Sequence, residues 1–347
     1  MIKHIKKIRD SEKRVCKKTA TFNKVVAELT GDKPNKHITS LTFQSFVLEE
    51  KESDEFIRLL KTDVGNQLTE LNFYQVDLTD NKSLKLLHDL SDIFTIKTLS
   101  ISGCAVNKDT INLIAQIIEK NTGLEKLDLV FSGIDSEQAA IIAASLQDNI
   151  TIKNLSLNGN MIDDACLSAW DKTFNKNTIL EEICLSLNNF TLEGVNILIN
   201  LLENNNRLIF LDLTIQDYVL NILNDYAERE IPQGIISYEL SSLVDNYTIQ
   251  ELRLSLASKE NETFLAQIIQ RNKTNYEKIR FNRTKQASII EEVINESDEP
   301  QKIEISKLEG KFKSSYDPKF LFASSTTIIS DQPQPVEVEN NKRYVMI

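Results

Sequence analysis

The hexapeptide LEKLDL, Leu124–Leu129, decides the architecture, because its pattern returns at a fixed distance on both sides. Twenty-eight residues earlier the chain reads IKTLSI from Ile96. At the same interval downstream it reads IKNLSL from Ile152, LEEICL from Leu180 and LIFLDL from Leu208. An aliphatic residue holds the first, fourth and sixth places in all five copies. A fixed period of this length marks a stacked repeat array. The alternation inside each copy has the period of a strand. Weaker copies, LTELNF from Leu68 and ITSLTF over Ile38–Phe43, extend the series toward the N-terminus.

Between the strands lies a second signal, with the spacing of a helix face. Leu86, Leu87 and Leu90 form one such face; Ile111, Ile114, Ala115 and Ile118 form the next. Ala139, Ile142, Ala143 and Leu146 follow, then Leu167, Trp170, Asp171 and Phe174, then Val195, Leu198, Ile199 and Leu202. Asp171 is the odd member. Each helix ends in Asn-rich text (EKNTG, QDNIT, NKNTI, ENNNR), and Asn is expected there because it tolerates the left-handed cap conformation. Neither the strand nor the helix can bury its apolar face within one unit, so neighbouring units must cover each other.

The repeat divides the chain as follows. Residues 1–19 form a basic segment, frayed or loosely helical. Residues 20–37 hold a capping helix, with Phe22, Val25, Val26 and Leu29 on one face and Gly31 and Pro34 to stop it. The array runs over 38–306. After Leu208 the next clear strand, IQELRL, starts at Ile249, 41 residues on. The helix before it reads as intact through Ile236, Leu240 and Leu243, so the extra text falls at 214–234. That insertion carries its own stripe of Tyr218, Val219, Ile222, Leu223 and Tyr226; it either meets a partner or folds back to fill a gap. Weaker units at YEKIRF from Tyr276 and QKIEI ending at Ile305 close the array. Residues 307–323 are expected to form a C-terminal cap and 324–347 a flexible tail.

Composition excludes several classes. The net charge is −11, yet Met1–Lys36 alone carries eleven Lys or Arg against four Asp or Glu, so the remainder is strongly acidic. No run reaches the roughly 18 apolar residues of a spanning helix, and the N-terminal lysines precede no apolar core of a signal peptide. The four cysteines are widely spaced without a C-x-x-C pair, which suggests reduced thiols and a cytoplasmic location. No phosphate-cradling glycine motif is present, and His4, His37 and His88 lack metal-spaced partners. Cys184 has no histidine base in the equivalent places of adjoining repeats, as a nucleophile would need. We therefore expect no enzyme, no cofactor, no metal site and no small-molecule substrate.

The pattern L-x-x-L-x-L-x-x-N/C, seen as IKNLSLNGN from Ile152 and LEEICLSLN from Leu180, resembles the leucine-rich repeat of the ribonuclease-inhibitor-like type. The resemblance covers about Ile38 to Ile305. It implies an α/β solenoid with a curved parallel sheet on the concave side and helices on the convex side. It also implies that Cys104, Asn160 and Asn188 bond to backbone in the turn after each strand. Val76, Ser132 and Gln216 depart from that position, so their turns should be looser or differently bonded. The uniform repeats, the Asn-, Lys- and Ile-rich composition and the polar tail with Glu337 and Glu339 further resemble Legionella-type bacterial effectors delivered by type IV secretion. That likeness implies action on a host protein in the host-cell cytosol, with virulence as the setting.

Residues between the aliphatics of each strand point to the concave side. Tyr74 lies at one end, beside Glu70 and Asn72; Lys126 and Asp128 follow, and small polar residues such as Ser100, Asn154 and Ser156 fill the middle. Glu182, Phe210 and Asp212 come next, then Arg253, Lys278 and Arg280 at the far end. Interface centres favour aromatic residues and arginine, so these side chains and Tyr218 are the candidate partner-binding residues; a plainly solvated face is the bland alternative. A monomeric protein-binding scaffold is the expected function. The competing reading is nucleic-acid or acidic-membrane binding through Lys3, Lys6, Lys7, Arg9, Lys13, Arg14, Lys17 and Lys18, without the aromatic interleaving that base stacking would add.

Overall fold

The computed structural model describes residues 12–275, apart from 33, 47–48, 64, 215, 217–235, 256 and 259. Nine strands form one parallel sheet in strict chain order: β1 (Glu12–Cys16), β2 (Ile38–Gln44), β3 (Glu70–Tyr74), β4 (Thr98–Ser102), β5 (Lys126–Val130), β6 (Asn154–Ser156), β7 (Glu182–Cys184), β8 (Phe210–Asp212) and β9 (Glu251–Arg253). Between them run α1 (Thr19–Thr30), α2 (Glu50–Leu60), α3 (Asn81–Leu90), α4 (Lys108–Lys120), α5 (Ser136–Leu146), α6 (Leu167–Lys176) and α7 (Leu192–Asn200). From α2 onward, consecutive helices pack side by side as a second layer. A further helix covers residues 260–275.

The register shows why the 28-residue spacing is kept. Leu41, Leu71, Leu99, Leu127, Leu155, Ile183, Leu211 and Leu252 are direct partners across successive strands. All are at most 5% exposed. A slip of one residue would turn this row out of the core, since strand side chains alternate between faces. The helices cover the leucine face with their own buried stripes, such as Ile111, Ile114 and Ile118 of α4. At the N-terminal end aromatic rings replace aliphatics. Phe43 stacks on Phe73 at 5.5 Å, and Phe56 meets Phe22 and Phe43 edge-on, each at 5.7 Å.

The turns after β2 to β7 share one plan. Their first residue occupies the left-handed region in Ser45, Gln75, Gly103, Phe131, Gly159 and Leu187, with φ between 49° and 67°. The next residue bonds backward. Asn160 donates from Nδ2 to the carbonyls of Leu129 and Leu157, both at 2.8 Å, and its Oδ1 accepts from the N–H groups of Ser132 and Ile134. Asn188 repeats this one unit on, and Cys104 does so weakly through Sγ at 3.4 Å from the carbonyl of Phe73. Ser132 and Gln216 make the same backward bonds with other groups. The Ser132 hydroxyl reaches the Ile101 carbonyl at 3.2 Å, and Gln216 Nε2 reaches that of Leu185 at 2.9 Å.

A second ladder lines the opposite rim, and it corrects the expected role of the helix-ending asparagines. Asn121 and Asn177 have φ of −78° and −71°, not left-handed values. Their side chains are buried and clasp two repeats together. Asn177 donates from Nδ2 to the Leu146 carbonyl at 2.5 Å and the Asn149 carbonyl at 3.2 Å, and its Oδ1 accepts from the N–H groups of Ile179 and Leu180. Asn121, Asn149, Asn205 and Asn246 stand in equivalent places. Asn246 still reaches the Asn205 carbonyl at 3.0 Å, although 41 residues separate the two. The stack is thus continuous where the insertion lengthens the chain.

Three local expectations need revision. Residues 12–16 are a strand, not a frayed segment or loose helix. Cys16 lies fully buried opposite Phe43, and Arg14, opposite Leu41, is held by Glu12 and Glu28 at the edge of the row. The stretch is short and mostly charged, so its alternation is legible only once β2 offers an edge. Asp171 is exposed and Thr173 is buried in its stead, donating to the Ala143 carbonyl at 2.7 Å. The unit opens with a 3-10 turn at Asp164–Cys166, which shifts the buried stripe of α6. Between β8 and β9 the described residues hold no full helix. Ile236 bridges Ala257 and a 3-10 turn spans Ser241–Val244, while Ile236, Leu240 and Leu243 stay buried. The insertion residues 217–235, the units from Tyr276, the 307–323 cap and the 324–347 tail lie outside the described residues.

The asparagine clasp yields a stability prediction. Asn177→Ala removes two donors' worth of contacts and leaves the N–H groups of Ile179 and Leu180 unpaired. The expected loss is about 2–4 kcal/mol in urea unfolding, whereas Asn175→Ala on the exposed helix surface should change stability by less than about 0.5 kcal/mol.

Candidate binding surface

Helices cover one side of the sheet, so the other side presents the residues that alternate with the leucine row. One register row runs Asn72, Ser100, Asp128, Ser156, Cys184, Asp212 and Arg253; a second runs Glu70, Thr98, Lys126, Asn154, Glu182, Phe210 and Glu251. The centre is therefore lined by small polar groups.

At the C-terminal end of the face, the structure gathers three candidates into one cluster. The Arg253 guanidinium lies over the Phe210 ring, 4.9 Å from its centroid. It bonds Glu251 Oε1 at 2.6 Å and sits 3.6 Å from Asp212 Oδ2. Asp212 is only 8% exposed and also accepts from the backbone and hydroxyl of Thr214. Arg253 thus has one guanidinium face on Phe210 and its charge held by two carboxylates, while about half of its side chain stays exposed as a pre-oriented contact surface. Lys126 and Asp128 form a separate pair at 3.2 Å. Glu182 is exposed and has no ion pair among the described residues. Tyr74 stands 43% exposed at the end of β3, five strand steps or about 24 Å across the sheet from β8 and four residues further along the strand direction than the row of Phe210. Tyr218, Lys278 and Arg280 lie outside the described residues.

The electrostatics of the face are settled by local bonds. Burial would raise the Glu70 carboxyl, but hydrogen bonds from Asn72 and Lys13 outweigh it and hold the group below the ordinary range. Burial pushes the Cys184 thiol up to about 11, with the Asp212 and Glu182 charges adding to it. Cys166 is pushed up to about 12 by burial in the core. Among the described residues no group of His, Cys, Asp and Glu is arranged to hold a metal ion, and no helix is long and apolar enough to cross a membrane. Of the basic N-terminal residues, Lys13 pairs with Glu70 at 3.2 Å and Arg14 with Glu12 and Glu28 at 2.7 and 3.1 Å. Those two charges are already matched within the chain. Lys3, Lys6, Lys7 and Arg9 lie outside the described residues.

Sequence reasoning overlooked the rim after the strands. Phe131, Met161 and Leu187 are 59%, 55% and 36% exposed there. The signal was present: Phe131 and Leu187 occupy the column in which Gly103 and Gly159 stand.

Fold and surface together define a leucine-rich repeat array of strand–helix units, open on its sheet side. No family model matches the chain, and no curated protein matches it. Solved structures do show a likeness. The tropomodulin C-terminal domain of Caenorhabditis elegans is 13% identical with a TM-score of 0.37, covering 50% of this chain and 98% of that one. The leiomodin-1 actin-binding site 2 is 14% identical with a TM-score of 0.37, covering 60% of this chain and 99% of that one. At such similarity the assignment stands on this chain's own register and turn ladders.

The thiols provide a check on the surface chemistry. A disulfide reagent at pH 8 should leave the four native cysteines nearly unreacted while the unfolded chain reacts fully, since the raised values keep the thiols protonated. Cys184, the one not fully buried, should react first as the pH approaches 11. The unfolded thiols ionise from about 9, so stability is complete below that pH and declines as it rises toward the folded values near 11 and 12.

Proposed function

We propose that the chain is a non-enzymatic scaffold that holds a protein partner on the open face of its sheet. The observation that carries this reading is the sheet itself. Parallel sheets are normally covered on both faces, whereas among the described residues the helices pack on the leucine side and residues of the other face such as Thr98, Ser100, Lys126 and Asp128 stay at least partly exposed. That face offers an exposed tyrosine at one end and a stacked Arg253–Phe210 pair at the other, the residue types that anchor interfaces. A partner spanning both anchors would cover about 24 Å across the sheet, within the reach of a standard interface. Lys126, Asp128 and Glu182 lie between the anchors and would set its orientation. Lys278, Arg280 and Tyr218 are further contacts proposed from the sequence.

The test is to capture a partner from cytosol by cross-linking and then measure its affinity for variants. Arg253→Gln combined with Tyr74→Ala should weaken it at least tenfold, with the chain still folded by circular dichroism. Equal affinity for the double variant would move the site off this face.

Delivery into a host cell, with a host protein as the partner, is a finer proposal. It is supported by the resemblance to effector repeats and by the polar tail. Removing Ser324–Ile347 should abolish translocation in a secretion assay while leaving partner affinity intact. Transport that survives the deletion refutes this part alone.

A further inference from the structure

The left-handed turn position has a chemical logic that four residues break, two of them large and apolar. A side chain with a Cβ is disfavoured there, and a bulky one more so. Gly103 and Gly159 fit the position, whereas Phe131 and Leu187 hold it at φ of 52° and 55° with their side chains exposed. Burial does not explain them, because Phe131 is 59% exposed.

Two glycines accommodate the exposed groups. The Phe131 ring lies across Gly159 of the next repeat, where an added Cβ would come within 2.2 Å of the ring. The Met161 methyl lies over Gly133 of the preceding repeat, 3.9 Å from the place of its Cβ. The two exposed side chains thus lie over the seam between the same pair of repeats, one reaching across from each side. Leu187 stands one turn further along the same rim.

Carboxylates border this seam. The Met161 backbone bridges that of Asp135, and Asp163 follows two residues later. Both accept hydrogen bonds at the start of a helical turn, Asp135 from Gln138 N–H and Asp163 from Ala165 N–H and the Ser136 hydroxyl. Among the described residues neither has an ion pair, nor does Asp164. The nearby Lys108 bonds Glu137 at 2.7 Å and also feels the Asp135 charge, so Asp163 is the carboxylate of the two with no cation against it among the described residues. An apolar patch with unneutralised negative charge beside it complements a segment of opposite make-up.

We propose that this rim, distinct from the open sheet face, docks a short segment of a partner protein that presents an aromatic or leucine side chain next to lysine or arginine. The apolar side chain would rest on Phe131 and Met161, and the cation would meet Asp163. Exposed apolar groups rimmed by charge are the usual mark of such a site.

The test uses peptides selected from a random displayed library against the full-length chain, then synthesised singly. The selected peptides should share an aromatic or leucine residue beside Lys or Arg, and their affinity should fall with rising salt. Phe131→Gly should weaken them at least tenfold while leaving the melting temperature unchanged or higher, because glycine fits the turn better. Gly159→Ala should also weaken them, by displacing the ring with Phe131 still present. Arg253→Gln on the sheet face should leave them unaffected, which separates this site from the one above. Selected peptides that bind Phe131→Gly as well as the natural chain would overturn the proposal. So would a dimer in sedimentation that Phe131→Gly dissolves, since the occupant would then be a second copy.

Discussion

A buried side-chain amide that bonds to the repeat before it is the interaction on which this structure depends. Each turn carries backbone N–H and C=O groups that have left the strand or helix ladder, and burying them unpaired would cost about 1–3 kcal/mol apiece. Asn177 pairs two carbonyls and two N–H groups at once, and four of its equivalents recur along the helix-to-strand rim. Asn160 and Asn188 do the corresponding work on the strand-to-helix rim. Each amide bonds to its own turn and to carbonyls of the neighbouring unit, such as Leu146 and Asn149 for Asn177 and Leu129 for Asn160, so a unit by itself leaves part of this bonding unmade. Stacking is therefore a hydrogen-bonding requirement as well as a hydrophobic one.

This constraint governs where the chain is free to vary. The leucine row, the helix stripes and both asparagine ladders are committed to the stack. Chain length between them is not, as the contact of Asn246 with Asn205 across 41 residues demonstrates. The open sheet face and the exposed part of the strand-to-helix rim are left over. Residue types change from unit to unit on those two surfaces: Tyr74, Ser102 and Val130 succeed one another in one register row, and glycine alternates with Phe131 and Leu187 at the turn. Holding Phe131 in the left-handed region costs on the order of 1 kcal/mol, although more than half of its surface stays exposed.

The open ends of the stack are handled differently from its middle. At the N-terminal end β1 adds a strand whose inward side is Glu12, Arg14 and Cys16, of which Cys16 alone is fully buried. Arg14 closes the leucine row with a charge neutralised by Glu12 and Glu28. Lys13 on the outer face makes that edge a poor template for further pairing. The rings of Phe22, Phe43, Phe56 and Phe73 fill the space beneath, where α1 and α2 meet the first strands. The basic character of the N-terminus is thereby partly spent on finishing the array.

Periodicity determined the repeat, the strand register and the buried row, because an aliphatic that must face its counterpart 28 residues away leaves a one-dimensional trace. It also marked which residues face away from the helices, since strand alternation is fixed. Tertiary structure alone decided the rest. β1 is a strand because β2 presents an edge to it. Thr173 replaces Asp171 in the core because a 3-10 turn shifts its helix. The terminal asparagines are clasps and not left-handed caps, because their acceptors lie in another repeat. Phe210, Asp212 and Arg253 became one cluster, and Phe131 and Met161 came to lie over one seam, through contacts between units. Such contacts depend on side-chain directions across the stack, which no local pattern of residues encodes.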